Sequence, residues 1–140
     1  HVASVGEVLE ADTVEWGIGV LGMPIRNTWL QTETGAIMCA VRPAMDAPPG
    51  SAGKPVSGIW MTVLVRDFQR VETGAAGNLA IRPGWPAMFQ GYWGDTDEYN
   101  SRFRGGWYVT DDMARIDTDG YIWIERRTDG DSTIATTFGY

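Results

Sequence analysis

The chain has 140 residues with a formal net charge of −7, and this acidic composition excludes the basic stripes of nucleic-acid-binding proteins. It is long enough to bury one hydrophobic core, and no apolar run approaches the length of a membrane-spanning helix. The only histidine is His1 and the only cysteine is Cys39, which excludes interior Ser-His, Cys-His and His-metal sites and an internal disulfide. The single cysteine and the lack of a signal-peptide pattern predict a cytoplasmic protein.

The first forty residues predict a strand, a helix and a second strand. Residues 2–7, VASVGE, predict a short buried strand that ends at a glycine. Residues 7–21 place apolar side chains close to one helical face, although Gly17 and Gly19 weaken that pattern. Residues 23–30, MPIRNTWL, predict the second strand. A polar Thr-Glu-Thr-Gly motif follows its carboxyl end, where open α/β sheets usually place ligands.

The remaining residues predict a larger, mostly antiparallel β body. Residues 42–58 predict an irregular loop, IWMTVLVRD and NLAIR predict strands, and a short helix is expected near residues 96–103. In the last third of the chain apolar and polar residues alternate, with a break at Thr-Asp-Asp (110–112) and a hairpin turn at Asp-Gly (119–120). We expect the seven tryptophans to lie in the core rather than on a sugar-binding sheet face.

These patterns together predict an α+β fold in three parts. Residues 1–40 form the strand-helix-strand opening with the Thr-Glu-Thr-Gly motif, residues 41–128 form a distorted β-barrel-like subdomain, and residues 129–140 form a tail. No internal repeat or low-complexity segment indicates a further division.

Glu33 is a carboxylate between two apolar stretches, NTWL and AIM. Such a group either ends a strand and faces water, or faces a cation, because a carboxylate is rarely left in apolar surroundings without a partner. The hydroxyls of Thr32 and Thr34 and the close backbone approach that Gly35 permits suit Mg²⁺ and phosphate oxygens. The spacing alone leaves both alternatives open.

Asp112 interrupts an alternating strand without an adjacent turn residue. A carboxylate there is suited to accept both hydroxyls of a ribose, and the alternative is a solvated surface position. The nearby Asp-Thr-Asp-Gly stretch (117–120) resembles the start of a calcium loop. Its glycine falls at the fourth position, so the stretch predicts a hairpin turn instead.

Five segments occur in this chain in a fixed order: VASVGE, NTWLQTETGAIM, PGSAGKPVSGI, GNLAIRPGWPAMFQGYW and WYVTDDMARIDTDGYIWIERRTD. They resemble the AMP-forming acyl-CoA synthetases of the adenylate-forming superfamily, and most resemble the acetyl-CoA synthetases among them. The likeness runs over nearly the whole chain. It implies that the α+β fold is the central and β-barrel part of the N-terminal domain of such an enzyme.

The resemblance implies a two-step ligase. A carboxylic acid attacks the α-phosphate of ATP to give acyl-AMP and pyrophosphate, and the thiol of coenzyme A then takes the acyl group. The implied cofactors are ATP or AMP, Mg²⁺ and CoA, and the implied partners are a small carboxylic acid and a nucleotide, with neither nucleic acid nor membrane. Such chemistry depends on positioning and charge neutralisation.

The resemblance also implies a role for each matching residue. Glu33 is the implied Mg²⁺ ligand and Thr32 the α-phosphate contact. Asp112 and Arg127 hold the ribose hydroxyls. The implied adenine contacts are Gly6, Glu7, Val8 and Asn27, and the implied acyl-pocket residues are Trp29 and Leu30.

The chain departs from the family pattern at several positions. Leu30 stands where acetyl-CoA synthetases have a second Trp, which predicts room for a longer acyl group. Asn27 replaces an Asp, and Asp111 and Arg126 replace glycines. The hinge segment is degenerate after Asp129. Because the phosphate loop and the C-terminal catalytic lysine are missing from these residues, we expect them not to complete adenylation alone.

The departures leave a second hypothesis open, that of a non-catalytic module. Such a module would still bind a nucleotide or acyl group, or would form a homo-oligomer through exposed apolar surface.

Overall fold

A computed structural model describes residues 1–65 and 69–127, and the structural statements below concern those residues. The tail predicted for residues 129–140 lies outside them. Two α-helices, nine strands and one 3₁₀ turn occur in this order: β1 (Val2–Ser4), α1 (Ala11–Leu21), β2 (Ile25–Trp29), the 3₁₀ turn (Thr32–Thr34), β3 (Cys39–Ala40), β4 (Lys54–Pro55), β5 (Met61–Leu64), β6 (Gly77–Ile81), α2 (Thr96–Ser101), β7 (Phe103–Arg104), β8 (Trp107–Ile116) and β9 (Ile122–Arg127).

The first sheet is mixed and has the strand order β1-β2-β3-β4. Strands β1 and β2 are parallel and are joined by α1, which confirms the predicted strand-helix-strand opening. The pairs β2–β3 and β3–β4 are antiparallel. The prediction that residues 2–7 form a buried strand ending at a glycine was wrong in two respects. Strand β1 ends at Ser4, and Val2 and Ala3 are exposed on this edge strand.

Helix α1 forms despite its two glycines because one of them allows close packing. Gly17 is buried, and a Cβ atom there would lie 2.9 Å from Cγ1 of Ile25 on β2. A glycine therefore lets the helix approach the strand, which offsets its poor helix propensity. The helix ends at Leu21 and is capped by Gly22, whose φ of 68° lies in the left-handed region that favours glycine at a helix terminus.

The second sheet is antiparallel, with the order β5-β6-β8-β7 and with β9 also paired to β8. The predicted hairpin turn at residues 117–120 connects β8 to β9 and is confirmed. The predicted break at residues 110–112 is confirmed only as an irregularity in strand pairing. Strand β8 is one strand from Trp107 to Ile116, but its register with β6 shifts between Val109 and Met113. Two consecutive aspartates are accommodated in this strand because they lie on opposite faces, Asp111 half-buried and Asp112 buried.

The core consists of two clusters on the inner faces of the sheets, and the half-buried Trp29 packs against both. The prediction that the tryptophans lie in the core is confirmed only in part, because Trp29 and Trp85 pack against it without being fully buried. Trp16, Trp60 and Trp93 are exposed and the other four are half-buried. The interior is filled by side chains smaller than Trp. These are chiefly Met38, Leu64, Leu79, Ile81, Ile122 and Tyr108.

The Thr32–Thr34 turn is held against the segment from Trp85 to Phe89. Trp85 Nε1 donates a hydrogen bond to the Thr34 carbonyl at 2.7 Å, and the Phe89 amide donates to the Glu33 carbonyl at 3.0 Å. Between them Gly35 adopts a φ of 61°, and a Cβ atom there would lie 2.1 Å from the Ala87 carbonyl oxygen. Only a glycine satisfies both the backbone angle and the close approach.

Gly35→Ala is therefore expected to destabilise the fold more than Gly22→Ala does. Both glycines have a positive φ, but nothing lies within 4 Å of a Cβ at Gly22, so the control isolates the backbone cost of about 1–2 kcal/mol. The clash at Gly35 adds at least about 1–3 kcal/mol. Denaturant-unfolding free energies measure the difference, and equal losses in the two variants would contradict this packing.

Candidate functional site

Asp112 is the buried carboxylate around which the candidate site is built. On β8 the side chains of Tyr108, Thr110, Asp112 and Ala114 alternate into the interior, and Asp112 is only 4% exposed. The alternative of a solvated surface position is therefore excluded for this residue. Its Oδ2 accepts hydrogen bonds from Trp29 Nε1 at 3.0 Å and from Gln31 Nε2 at 2.9 Å. These two donors offset much of the cost of burying a charged carboxylate.

Gln31 connects Asp112 to a second buried side chain. Its amide oxygen accepts a hydrogen bond from the Tyr108 hydroxyl at 2.9 Å, while its amide nitrogen donates to Asp112. Burial and then the negative charge of Glu33 raise the pKa of Tyr108, so this hydroxyl remains a neutral donor. The Asp112 amide donates to Thr110 Oγ1, which in turn donates to a carbonyl of β6. The result is a continuous polar chain inside an apolar core.

Arg127 is brought beside Asp112 by the pairing of the last two strands. The two residues are Cα partners in the β8–β9 register, next to a β-bulge between Met113 and Ala114. Arg127 is exposed at the end of β9, whereas Asp112 is buried. The two residues with an implied ribose role are therefore neighbours across the sheet, one at the surface and one below it.

Glu33 is half-buried on the 3₁₀ turn that follows β2. Its Oε1 accepts a hydrogen bond of 2.8 Å from the Tyr92 hydroxyl. Burial, followed by this hydrogen bond and the charge of Glu33, raises the pKa of Tyr92 to about 12, so Tyr92 stays a protonated donor at neutral pH. Within the described part of the chain, the Glu33 carboxylate has no other hydrogen-bond donor.

The remaining residues with implied roles lie on or beside β1 and β2. Asn27 is buried within β2 and is the register partner of Ser4. Because β1 and β2 are parallel, their carboxyl ends meet at one edge of the sheet, where an exposed loop and the 3₁₀ turn follow them. The exposed residues at this edge are Gly6, Glu7, Val8, Leu30 and Thr32.

The oxygen ligands at this edge suit a hard cation. Residues 1–65 and 69–127 contain no group of three or more His, Cys, Asp or Glu side chains that would hold a metal by themselves. A lone carboxylate beside an exposed hydroxyl matches Mg²⁺, which is usually bound through one or two carboxylates together with phosphate oxygens and water. Glu33 and Thr32 therefore fit a cation that arrives with a nucleotide.

Asp111 lies on the face of β8 opposite Asp112 and is paired with a cation. Arg102, the residue that follows α2, donates to the Asp111 carboxylate and also lies 2.7 Å from Glu98 Oε1. Burial lowers the pKa of Arg102, but the hydrogen bond and charge of Asp111 outweigh it and the net shift is upward. The charge that Asp111 introduces is therefore balanced within the fold.

Sequence reasoning missed Gln31, Tyr92 and Tyr108. Gln31 and Tyr108 are 77 positions apart and Tyr92 and Glu33 are 59 positions apart, so no local pattern pairs them. A polar Gln between the apolar Leu30 and the Thr-Glu-Thr motif was the only sequence signal for the buried network.

The chain is similar in sequence to known proteins. Residues 1–93 match the family model described as AMP-binding enzyme. The chain is 41% identical over 130 residues to an acetyl-coenzyme A synthetase of Bacillus subtilis (strain 168), covering 92% of this chain and 23% of that protein. It is 38% identical over 135 residues to the acetyl-coenzyme A synthetase of Alkalilimnicola ehrlichii, covering 91% of this chain and 21% of that one.

Solved structures share the fold. The anthranilate CoA ligase AuaEII in complex with anthranoyl-AMP matches with a TM-score of 0.82 and 31% identity, over 91% of this chain and 24% of that chain. ATP-bound MatB from Rhodopseudomonas palustris matches with a TM-score of 0.82 and 27% identity, over 89% of this chain and 25% of that one. The predicted fold class, mixed and antiparallel sheets of an adenylate-forming enzyme's N-terminal domain, is confirmed. In the described residues no helix is long and apolar enough to cross a membrane.

Gln31→Leu is expected to lower the free energy of unfolding by about 2–4 kcal/mol, since it removes a donor from buried Asp112 and an acceptor from Tyr108 without creating a large cavity. Gln90→Leu is the matched control, because Gln90 is exposed and its one hydrogen bond goes to a neighbouring carbonyl. Urea unfolding of both variants measures the effect. A Gln31→Leu loss no larger than the Gln90→Leu loss would show that the network adds nothing to stability.

Proposed function

Because the chain belongs to the AMP-binding enzyme family, we propose that it provides the nucleotide half-site of an acyl-CoA ligase that activates a carboxylic acid as acyl-AMP. The chain spans about a fifth to a quarter of the length of the acetyl-coenzyme A synthetases it matches. We therefore propose that these residues supply one part of the site at which the complete reaction occurs. The observation that carries the proposal is the buried Asp112, held by donors from β2 and its following residues.

The geometry supports a division of roles between the two sheets. Asp112, fixed by Trp29 and Gln31, and Arg127 beside it across the strand pair would hold the ribose hydroxyls. Acidic residues commonly accept from ribose hydroxyls in nucleotide sites. A carboxylate that is already oriented by two donors loses little further conformational entropy when the sugar binds.

The edge formed by the carboxyl ends of β1 and β2 would receive the base and the phosphates. The proposed adenine contacts are Gly6, Glu7, Val8 and Asn27. Thr32 would donate its exposed hydroxyl to the α-phosphate, and Glu33 would bind the Mg²⁺ that accompanies ATP. When bound, Mg²⁺ supplies the positive charge that neutralises phosphate oxygens during displacement.

The proposed reaction has two displacements. In the first, a carboxylate oxygen of the acid bonds to the α-phosphorus and pyrophosphate leaves; in the second, the CoA sulfur bonds to the acyl carbon and AMP leaves. The residues of this chain contribute by holding the ribose and α-phosphate in one orientation, which converts both displacements into positioned reactions. The predicted requirement for a phosphate loop and a catalytic lysine from other segments is part of this proposal.

A second candidate function is self-association without catalysis. Its support is the exposed apolar surface, which includes Trp16 and Ile18 on α1 and the loop residues Trp60 and Trp93. A module that only associates would need neither the buried Asp112 network nor the Glu33 contact with Tyr92.

Nucleotide binding separates the two functions. We expect AMP to bind and Asp112→Asn to weaken that binding at least about tenfold, since a charge-assisted contact to the ribose is lost. Glu33→Gln should weaken Mg·ATP binding but leave AMP binding within about twofold. Calorimetric titration measures both, with Asp119→Asn and Glu15→Gln, which change exposed carboxylates, as matched controls. A folded protein that binds neither nucleotide would overturn the nucleotide half-site and favour self-association.

Acyl-chain selection tests the proposed pocket residues Trp29 and Leu30. Leu30 is 38% exposed at the edge that carries the phosphate contacts, and its side chain is smaller than an indole. In the protein at its natural length, Leu30→Trp is expected to lower kcat/KM for butyrate relative to acetate by about thirtyfold, because each of the two excluded methylenes costs roughly 1 kcal/mol. Leu21→Trp, on the exposed face of α1, is the control. An unchanged ratio would place the acyl group elsewhere.

A further inference from the structure

The Thr32–Thr34 turn, which carries Glu33, packs against residues 85–92. Trp85 binds the Thr34 carbonyl, Phe89 binds the Glu33 carbonyl, and Gly35 packs directly on Ala87. The turn also closes on itself, since the Gln31 amide donates to the Thr34 hydroxyl at 3.0 Å. The backbone that carries Glu33 is thus fixed from both sides.

The Glu33 side chain is fixed by the last residue of that same segment. Tyr92 donates its hydroxyl to Glu33 Oε1 at 2.8 Å, and its ring packs edge-on against Phe89 with centroids 5.1 Å apart. Phe89 in turn contacts Tyr99, Phe103 and Tyr108, so the tyrosine belongs to a packed aromatic cluster. The donor is therefore held independently of the carboxylate that it contacts.

We propose that Tyr92 is a positioning residue for Glu33, whose hydrogen bond to one carboxylate oxygen directs the other toward a divalent cation bound with a nucleotide. This inference rests on the role of Glu33 in the proposed function. A glutamate side chain has three rotatable bonds, and a donor held by a packed ring removes most of that freedom before the cation arrives. Residues that orient metal-binding carboxylates in this way commonly change metal affinity 10–100-fold when they are replaced.

The test compares Tyr92→Phe with Tyr99→Phe in the protein at its natural length. Both remove a hydroxyl from a half-buried ring that packs on Phe89, but the Tyr99 hydroxyl has no hydrogen-bond partner within the described residues. Affinity for Mn·ATP is measured by electron paramagnetic resonance of Mn²⁺, and affinity for AMP is measured by calorimetry. We expect Tyr92→Phe to weaken Mn·ATP binding about tenfold and to leave AMP binding within about twofold, and Tyr99→Phe to change neither.

A double-mutant cycle with Glu33→Gln distinguishes this inference from the proposed function. If Tyr92 acts through Glu33, Tyr92→Phe adds no further loss of Mn·ATP affinity in the Glu33→Gln background. If Glu33→Gln weakens Mn·ATP binding but Tyr92→Phe behaves like Tyr99→Phe, the inference is wrong and the proposed function stands. If Glu33→Gln has no effect, the inference fails together with the Mg²⁺ role proposed for Glu33, while the ribose role of Asp112 is tested separately by AMP binding. An equal loss of Mn·ATP and AMP binding in Tyr92→Phe would indicate a merely structural role and overturn the inference.

A second measurement does not depend on the folding of Tyr92→Phe. With 3-fluorotyrosine at position 92, the ¹⁹F resonance should shift on addition of Mg·ATP and shift much less with AMP, since only the metal complex places a cation on the Glu33 carboxylate that the hydroxyl contacts. Shifts of equal size with the two ligands, or no shift with either, would count against the inference.

Discussion

The buried carboxylate of Asp112 is the constraint on which the arrangement of the two sheets depends. A charge at 4% exposure requires donors, and the Trp29 indole and the Gln31 amide supply them from the first sheet and the residues after it. Because the carboxylate belongs to β8 in the second sheet, these hydrogen bonds fix one sheet against the other. Trp29 also packs on both core clusters, so one residue supplies apolar contact and polar specificity together.

A second set of contacts supports the opposite side of the candidate site. The segment from Trp85 to Tyr92 holds both the backbone and the side chain of Glu33, while the carboxyl end of β1 lies at the same edge. The same Thr-Glu-Thr-Gly turn thus lies between the Asp112 network and an aromatic cluster. Gln31 and Tyr108 connect the two, because Tyr108 contacts Gln31 by hydrogen bond and Phe89 by its ring. A ligand at this edge would meet groups that are already fixed in orientation.

Local patterns were sufficient for most of the secondary structure. The spacing of apolar residues located α1, β2 and the β8–β9 hairpin, because those signals depend on neighbours within a few positions. The same reasoning predicted a break at residues 110–112, where the structure has a shift in the β6–β8 register within one continuous strand. The strand tolerates two adjacent aspartates because each faces a different environment, one a buried network and one the guanidinium of Arg102. Likewise the tryptophans were predicted inside the core, yet Trp60 and Trp93 are exposed.

The sequence by itself determined the family resemblance, the fold class and the identity of two carboxylates, Glu33 and Asp112, as candidate binding residues. Ordered motifs and the period of apolar residues are properties of the sequence, so they can be recognised without a structure. Only the tertiary structure decided that Gln31 joins Asp112 to Tyr108 and that Tyr92 donates to Glu33. Each of these contacts joins residues more than fifty positions apart, and such pairs are set by how the sheets pack and not by any local preference of the backbone.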